Sequence, residues 1–477
     1  MSDQAIQFGV FCLVIGAIAL ITYIKCTGEN RHSADSNKEY FLAGGGLSWL
    51  FVAGSITLTN LSTDQLVGMN GNQMLLLAIW ELCGFVGLLV LAKVFLPVYY
   101  RNNCTTTTEL LELRYDSKHV RALVSAMFLF INVFVFQPAV IYTGALFIIS
   151  MTGTDINMLV IAVLFALVGA AYSVLGGLRA VAVSDTYGGI LVLGMGLLIV
   201  FLALNAISWD FSDIPPERLT LIGDNDSPVP WHTLLTGMFL IQIFYWSTNQ
   251  TITQRAMAAP DVKEAQKGVY AAAFVRVVFI PAMIVVPGIV AYKLYGDIGD
   301  AAYGRIVGEL LPPWLSGVFA AAIAAAVLSS FNSMVNSSAA MYVCDLHERY
   351  INDKPNVPVL SGIATAIFVV IAISMVPIYA GSDSIINLLQ ELWGLISMPI
   401  LACFTVGLLF KGVDYRAAII AVLAGVAMYA SFVWIWMPLH YIHMMAITFV
   451  SSVAIALLVN RIVFGNRAEL MGLQPRV

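Results

Sequence analysis

From Phe8 onward, apolar stretches of roughly 20 residues alternate with short polar breaks, the length a helix needs to cross the hydrocarbon core of a bilayer. Centres near residues 15, 57, 87, 135, 165, 193, 242, 280, 325, 368, 397, 424 and 450 predict about thirteen spanning helices in an all-α polytopic membrane protein. The longest connections run to only about 25 residues, too short for an independent core. Function must therefore sit inside the bundle. Polar residues at membrane depth become the informative ones, since each charge there costs about 2.5–3.5 kcal/mol.

The second apolar segment carries Thr57, Thr59, Asn60, Ser62, Thr63, Asp64 and Gln65 close together. A lone Ser, Thr or Asn in such a place can bond its own helix or glue a neighbour, but seven together predict an interrupted helix whose freed backbone lines a cavity. About 185 residues later Gln242, Tyr245, Trp246, Ser247, Thr248, Asn249, Gln250 and Thr251 repeat the pattern. Five helices run from the first interruption to just before the second, and five follow from there. The two sets then have opposite topology, the five-plus-five inverted repeat of secondary transporters. The implied organisation is an extra N-terminal helix and cytoplasmic loop (1–45), a first repeat (46–206), an extracellular loop (207–230), a second repeat (231–410), and two C-terminal helices with a tail (411–477).

Glu81 and Arg276 each stand alone in strongly apolar sequence. They either pair with each other as a buried ion pair or both face the cavity, where a carboxylate accepts and a guanidinium donates hydrogen bonds to a hydroxyl-rich solute. Asp185, at the start of a helix, fits an N-terminal cap. Ser329, Ser330, Asn332, Ser333, Asn336 and Ser337 lie in an alanine-rich span, with Ser329, Ser333 and Ser337 on one face. Small residues suit close packing, and hard oxygen donors beside an unwound helix suit a small cation such as sodium; sequence alone leaves a proton as the alternative.

Composition agrees with the pattern: 60% hydrophobic and 11% charged residues leave too little polar surface for a soluble chain of 477 residues. The net charge of −5, without a basic face, argues against nucleic-acid partners. The six cysteines form no CxxC pair and read as small hydrophobes. Basic residues follow alternate helices, at Lys25/Arg31/Lys38, Arg101/Arg114/Lys118/Arg121, Arg179, Arg255/Lys263/Lys267, Arg349/Lys354, Lys411/Arg416 and Arg461/Arg467/Arg476. Positive charge favours the cytoplasm, and with Arg218 and Lys293 as exceptions on the opposite side, the N-terminus is expected outside and the C-terminus inside. The first segment, with no basic leader, reads as a retained helix.

The motifs EYFLAGGGLSW (39–49), TNLSTDQLVGM (59–69), YSVLGGLRAVAVSD (172–185), FYWSTNQTITQR (244–255), EAQKG (264–268) and LSSFNS (328–333) together resemble the sodium/solute symporters over nearly the whole chain, most closely the sugar-carrying branch. The resemblance implies a bacterial inner-membrane symporter without enzyme activity, with sodium held by the carbonyls of Leu58, Leu61 and Ala326 and the hydroxyls of Ser329 and Ser330. It places solute contacts on Gln65, Glu81 and Gln390, and on Gln242 and Arg276, where the branch has Asn and Lys. Arg offers a planar fork where Lys is a point charge. Tyr245 with Asn60 matches the cytoplasmic closure, and Met69 and Trp80 the outer cover. A second sodium in some relatives implicates Asp185, Asn332 and Ser333, one hydroxyl having become an amide. Inositol, sialic acid, proline or a vitamin carboxylate are the alternative solutes, and an ion channel the alternative class.

Overall fold

The computed structural model describes residues 3–27, 36–379 and 385–471, with the side chains of 3–5, 26, 27, 36, 172–177, 385–387 and 390 left out of the description. All thirteen predicted centres fall on helices. α1 is Asp3–Thr27, α2 Trp49–Asn60 and α3 Thr63–Gly71. The spans α4 (Leu75–Arg101) and α5 (Lys118–Thr152) follow, then α6 (Met158–Ala171) and α7 (Leu178–Ala206). α8 is Gly237–Ser247 and α9 Gln250–Met257. α10 (Val262–Tyr295) and α11 (Pro313–Tyr350) are long spans; α12 (Val357–Tyr379), α13 (Ile385–Leu409), α14 (Tyr415–Trp434) and α15 (Tyr441–Ile462) complete the bundle. Ten helices among the described residues are long and apolar enough to cross a membrane; α2/α3, α8/α9 and α6 supply the other three crossings.

α6 and α7 are joined in one helical element, Met158–Ala206, yet they cross separately. Phe165 meets Gly144 beside Val327, and Gly169 lies against Phe331, while Gly188 is back at Ala325. Nineteen helical residues would span about 28 Å and six only about 9 Å, so the chain doubles back between Gly169 and Gly188.

Glycine contacts reveal the repeat. Gly54 of α2 packs on Thr186 of α7, and α8 leans on α13 through Phe244 against Trp393, ring centroids 5.5 Å apart. The first helix of each half thus rests on the fifth. Gly268 of α10 meets Val52 of α2, and Gly87 of α4 meets the Gln242 carbonyl of α8, so each interrupted helix also packs on the second helix of the opposite half. The third helices, α5 and α11, meet at Gly144 and Val327. These reciprocal pairings are those of a five-plus-five inverted repeat. α1 lies outside it against α11, with Gly317 under Gln7, and a two-residue antiparallel ladder pairs Phe410 with Leu470 and Lys411 with Glu469.

Three histidines fasten the start of α8 to the last helix. His232 Nδ1 and His443 Nε2 are 2.6 Å apart, and His443 Nδ1 is 2.8 Å from the Thr236 hydroxyl. His440 caps α15: its Nδ1 accepts from the Ile442 amide at 3.4 Å, and its Nε2 donates to the Pro228 carbonyl at 3.1 Å. That arrangement needs a neutral ring, and burial, with His443 and His232 nearby, holds the His440 pKa below its ordinary value. A histidine depressed in the folded state contributes stability above its unfolded pKa of about 6.5 and loses it as pH falls. Melting temperature in detergent is expected to drop between pH 7.5 and 5.5, and less in His440→Asn, which keeps a capping side chain without a titrating ring. An equal drop in the variant would count against the cap.

Candidate functional site: two broken helices and a polar cavity

α2 stops because Leu61 (φ −77°, ψ 67°) and Ser62 (φ −97°, ψ 175°) leave helical geometry. The Ser62 amide turns to the Asn60 carbonyl at 2.8 Å, so the Leu58 carbonyl loses its helical partner four residues on. The Thr59 carbonyl accepts instead from Ser330 Oγ at 3.0 Å. The second break falls at Thr248–Asn249, where the Asn249 side chain accepts from the Thr251 amide at 3.0 Å and starts α9 as an N-cap.

The hydroxyl face of α11 lies along both breaks. Ser333 Oγ is 3.0 Å from Thr59 Oγ1, Ser337 Oγ is 2.9 Å from Thr251 Oγ1, and Asn336 Oδ1 accepts from Gln254 at 3.0 Å. Asp185 is buried inside α7, not at its start, so it is no cap; its Oδ2 accepts from Ser55 at 2.7 Å. Asp185 Oδ1, Ser329 Oγ and Asn332 Oδ1 are buried without a hydrogen-bond partner. Orphaned buried oxygens are rare and call for an explanation. Oxygen donors of this kind, next to freed carbonyls, fit a hard monovalent cation.

Beside this cluster is a cavity of about 90 Å³, lined by Asn60, Asp64, Gln65, Met69, Trp80, Glu81, Asn132, Gln242, Tyr245, Trp246 and Trp393 among others. Gln65 donates to Glu81, and Arg276 pairs with the other oxygen of that carboxylate. Arg276 also reaches the Thr57 carbonyl at 3.4 Å and Gln65 Oε1 at 3.5 Å, and stacks over the Trp246 ring at 4.7 Å. Of the two arrangements the sequence left open for Glu81 and Arg276, the direct pair is the one adopted. Glu81 still borders the cavity, but Arg276, 1% exposed, stands behind it, held there by acceptors on three elements. The Gln242 amide is spoken for at both ends, donating to the Trp80 carbonyl at 2.9 Å and accepting from Trp246 at 3.0 Å.

Tyr245 closes one side: its hydroxyl accepts from Asn60 at 2.7 Å and its ring meets Trp393 edge-on at 5.7 Å. Met69 and Trp80 border the cavity with little exposure. The Gln390 side chain lies outside the described residues. Sequence reasoning did not single out Asp64, Asn132 or Trp393 as site residues. Asp64 had a signal, as the one acid within the polar run. Asn132 had only its isolation in an apolar stretch; it opens a π-helical turn, Asn132–Phe136, a distortion common at functional sites.

The sequence profile of the Sodium:solute symporter family matches residues 40–425. The chain belongs to that family. It is 32% identical to an uncharacterized symporter, YidK, of Escherichia coli (strain K12), over 96% of this chain and 84% of that protein. It is 30% identical to a sodium/glucose cotransporter of Vibrio parahaemolyticus, over 91% and 86% of the two chains. Among solved structures, a substrate-bound, outward-open Na+-coupled sialic acid symporter superposes with a TM-score of 0.81 at 18% identity, covering 99% of each chain, which is a likeness of fold. As a sodium:solute symporter the protein is an integral membrane transporter coupled to sodium, not an enzyme.

Proposed function

We propose that this symporter carries a sugar or polyol into the bacterial cytoplasm together with sodium, by alternating access. The observation that carries the reading is the adjacency of two chemistries: a cluster of hard oxygens at the α2 break and, next to it, a cavity rimmed by amides, carboxylates and aromatic rings, the groups that hold polyhydroxylated rings. The similarity to a sodium/glucose cotransporter supports it. Sodium is assigned to the carbonyls of Leu58, Leu61 and Ala326 with Ser329 and Ser330; the unpartnered Ser329 hydroxyl and the freed Leu58 carbonyl fit that set. Gln65, Glu81, Gln242 and Gln390 serve the solute, and Arg276 positions Glu81. A second ion would take Asp185 Oδ1, Ser333 and the Asn332 amide oxygen. The N-terminus is outside, and the 46–206 and 231–410 halves rock against each other.

Sodium bound between α2 and α11 fixes the geometry of the α2 break, and with it Asn60 and Gln65, which completes the solute cavity. Opening toward the cytoplasm breaks the Asn60–Tyr245 hydrogen bond. Coupling requires sodium to bind one arrangement better than the other. In proteoliposomes, uptake of the transported sugar is expected to be concentrative with an inward sodium gradient and to collapse when sodium is equal on both sides. Equal uptake in both conditions defeats the proposal.

A further inference from the structure

The geometry points to a charge filter in the solute cavity: Asp64 makes it accept neutral or cationic solutes and reject anions. The inference rests on the cavity being the solute site. Arg276, the residue that would greet a carboxylate, is consumed by Glu81, Gln65, the Thr57 carbonyl and the Trp246 ring, and does not border the cavity. Among the described residues that line the cavity there is no Lys, Arg or His, and residues 380–390, which include Gln390, carry none either. Two carboxylates line it. The charge of Glu81 is matched by Arg276, whereas Asp64 has no cationic partner in any described ion pair.

Asp64 is instead held by the Ser62 hydroxyl and by its place in the first turn of α3, where helix N-terminal amides favour a carboxylate. Two carboxyl groups and, among the described residues, no cation therefore face the solute. An anion entering would meet two acceptors and no free cation. A hydroxyl or ammonium group would find an acceptor at Asp64, and an ammonium would also meet the rings of Trp80, Tyr245 and Trp393 in the lining, a ring type that attracts cations. The sialic acid of the structurally similar symporter is an anion, so the shared fold would serve a solute of different charge here.

The test uses the purified full chain in detergent with sodium present, and ligand-induced thermal shifts for two charge series: galactose, galactosamine and galacturonate, and glutamine, lysine and glutamate. In whichever series binds, the anionic member is expected at least tenfold weaker than the neutral one. Asp64→Asn narrows that gap to about threefold or less, and Asp64→Glu preserves it. The sodium-induced shift, unchanged in both variants, reports that they are folded. The filter is overturned if wild-type protein binds galacturonate or glutamate as tightly as the neutral member, or if Asp64→Asn keeps the full gap with its sodium shift intact. Binding in the amino-acid series with the expected charge order would uphold the filter while overturning the sugar reading.

Discussion

Replacing Arg276 with alanine is expected to destabilise the protein by about 3–5 kcal/mol, the usual cost of stranding one partner of a buried ion pair, and to abolish uptake. The guanidinium joins four elements: the Thr57 carbonyl on α2, Gln65 on α3, Glu81 on α4 and Trp246 on α8. Without it Glu81, 5% exposed, keeps only the amide of Gln65 as a donor, and the C-terminal carbonyls at the α2 break lose a cation favoured by the helix dipole. Arg276→Lys retains the charge but not the fork, so it should melt near wild type with weakened uptake. The double variant Glu81→Gln/Arg276→Met removes both charges and should recover most of the stability while remaining inactive. Melting curves and uptake for the four proteins separate the two roles. An alanine variant that melts like wild type would mean the pair does not hold the breaks together.

What the sequence made legible, and what it did not, follows the range of the interactions. The spans were readable because each is a local run of apolar residues, and the two interruptions because polar residues crowd at mid-span, from Thr57 to Gln65 and again from Gln242 to Thr251, more than helix glue can account for. The stripe at Ser329, Ser333 and Ser337 was readable from helical period alone. By contrast, Glu81 and Arg276 are 195 positions apart, and nothing local decides whether two isolated charges face each other or a cavity. Asp185 looked like a cap because it was placed at the start of a helix, whereas that span already begins at Leu178, seven residues earlier. Asp64 was hidden by its neighbours: in a run of seven polar residues, only packing distinguishes the one whose carboxylate borders the cavity from those that knit helices together, such as Thr63 on Thr143 at 3.0 Å. The contact between His232 and His443 joins a loop to a distant helix and left no pattern at all.

Ser330→Ala is the variant expected to strike coupling most directly. The Ser330 hydroxyl donates to the Thr59 carbonyl across the α2–α11 contact at 3.0 Å, and the same oxygen keeps lone pairs for a cation at the break. Loss of one such oxygen removes about 1.5–3 kcal/mol, the worth of a hydrogen bond to a charged group, or roughly 10- to 100-fold in apparent sodium affinity. Because solute binds to the arrangement that sodium stabilises, apparent solute affinity should fall with it at fixed sodium and recover at high sodium. A defect in the solute cavity itself would not recover that way. Ser330→Thr keeps the hydroxyl and should retain most of the activity. Ser333→Ala discriminates the ion count: if Asp185, Asn332 and Ser333 hold a second sodium, the variant lowers the sodium Hill slope of uptake, and if they do not, the slope is unchanged while Ser330→Ala still shifts the midpoint. Sodium titrations of uptake by the four proteins read all of these outcomes, and an unshifted midpoint in Ser330→Ala would remove sodium from the α2 break.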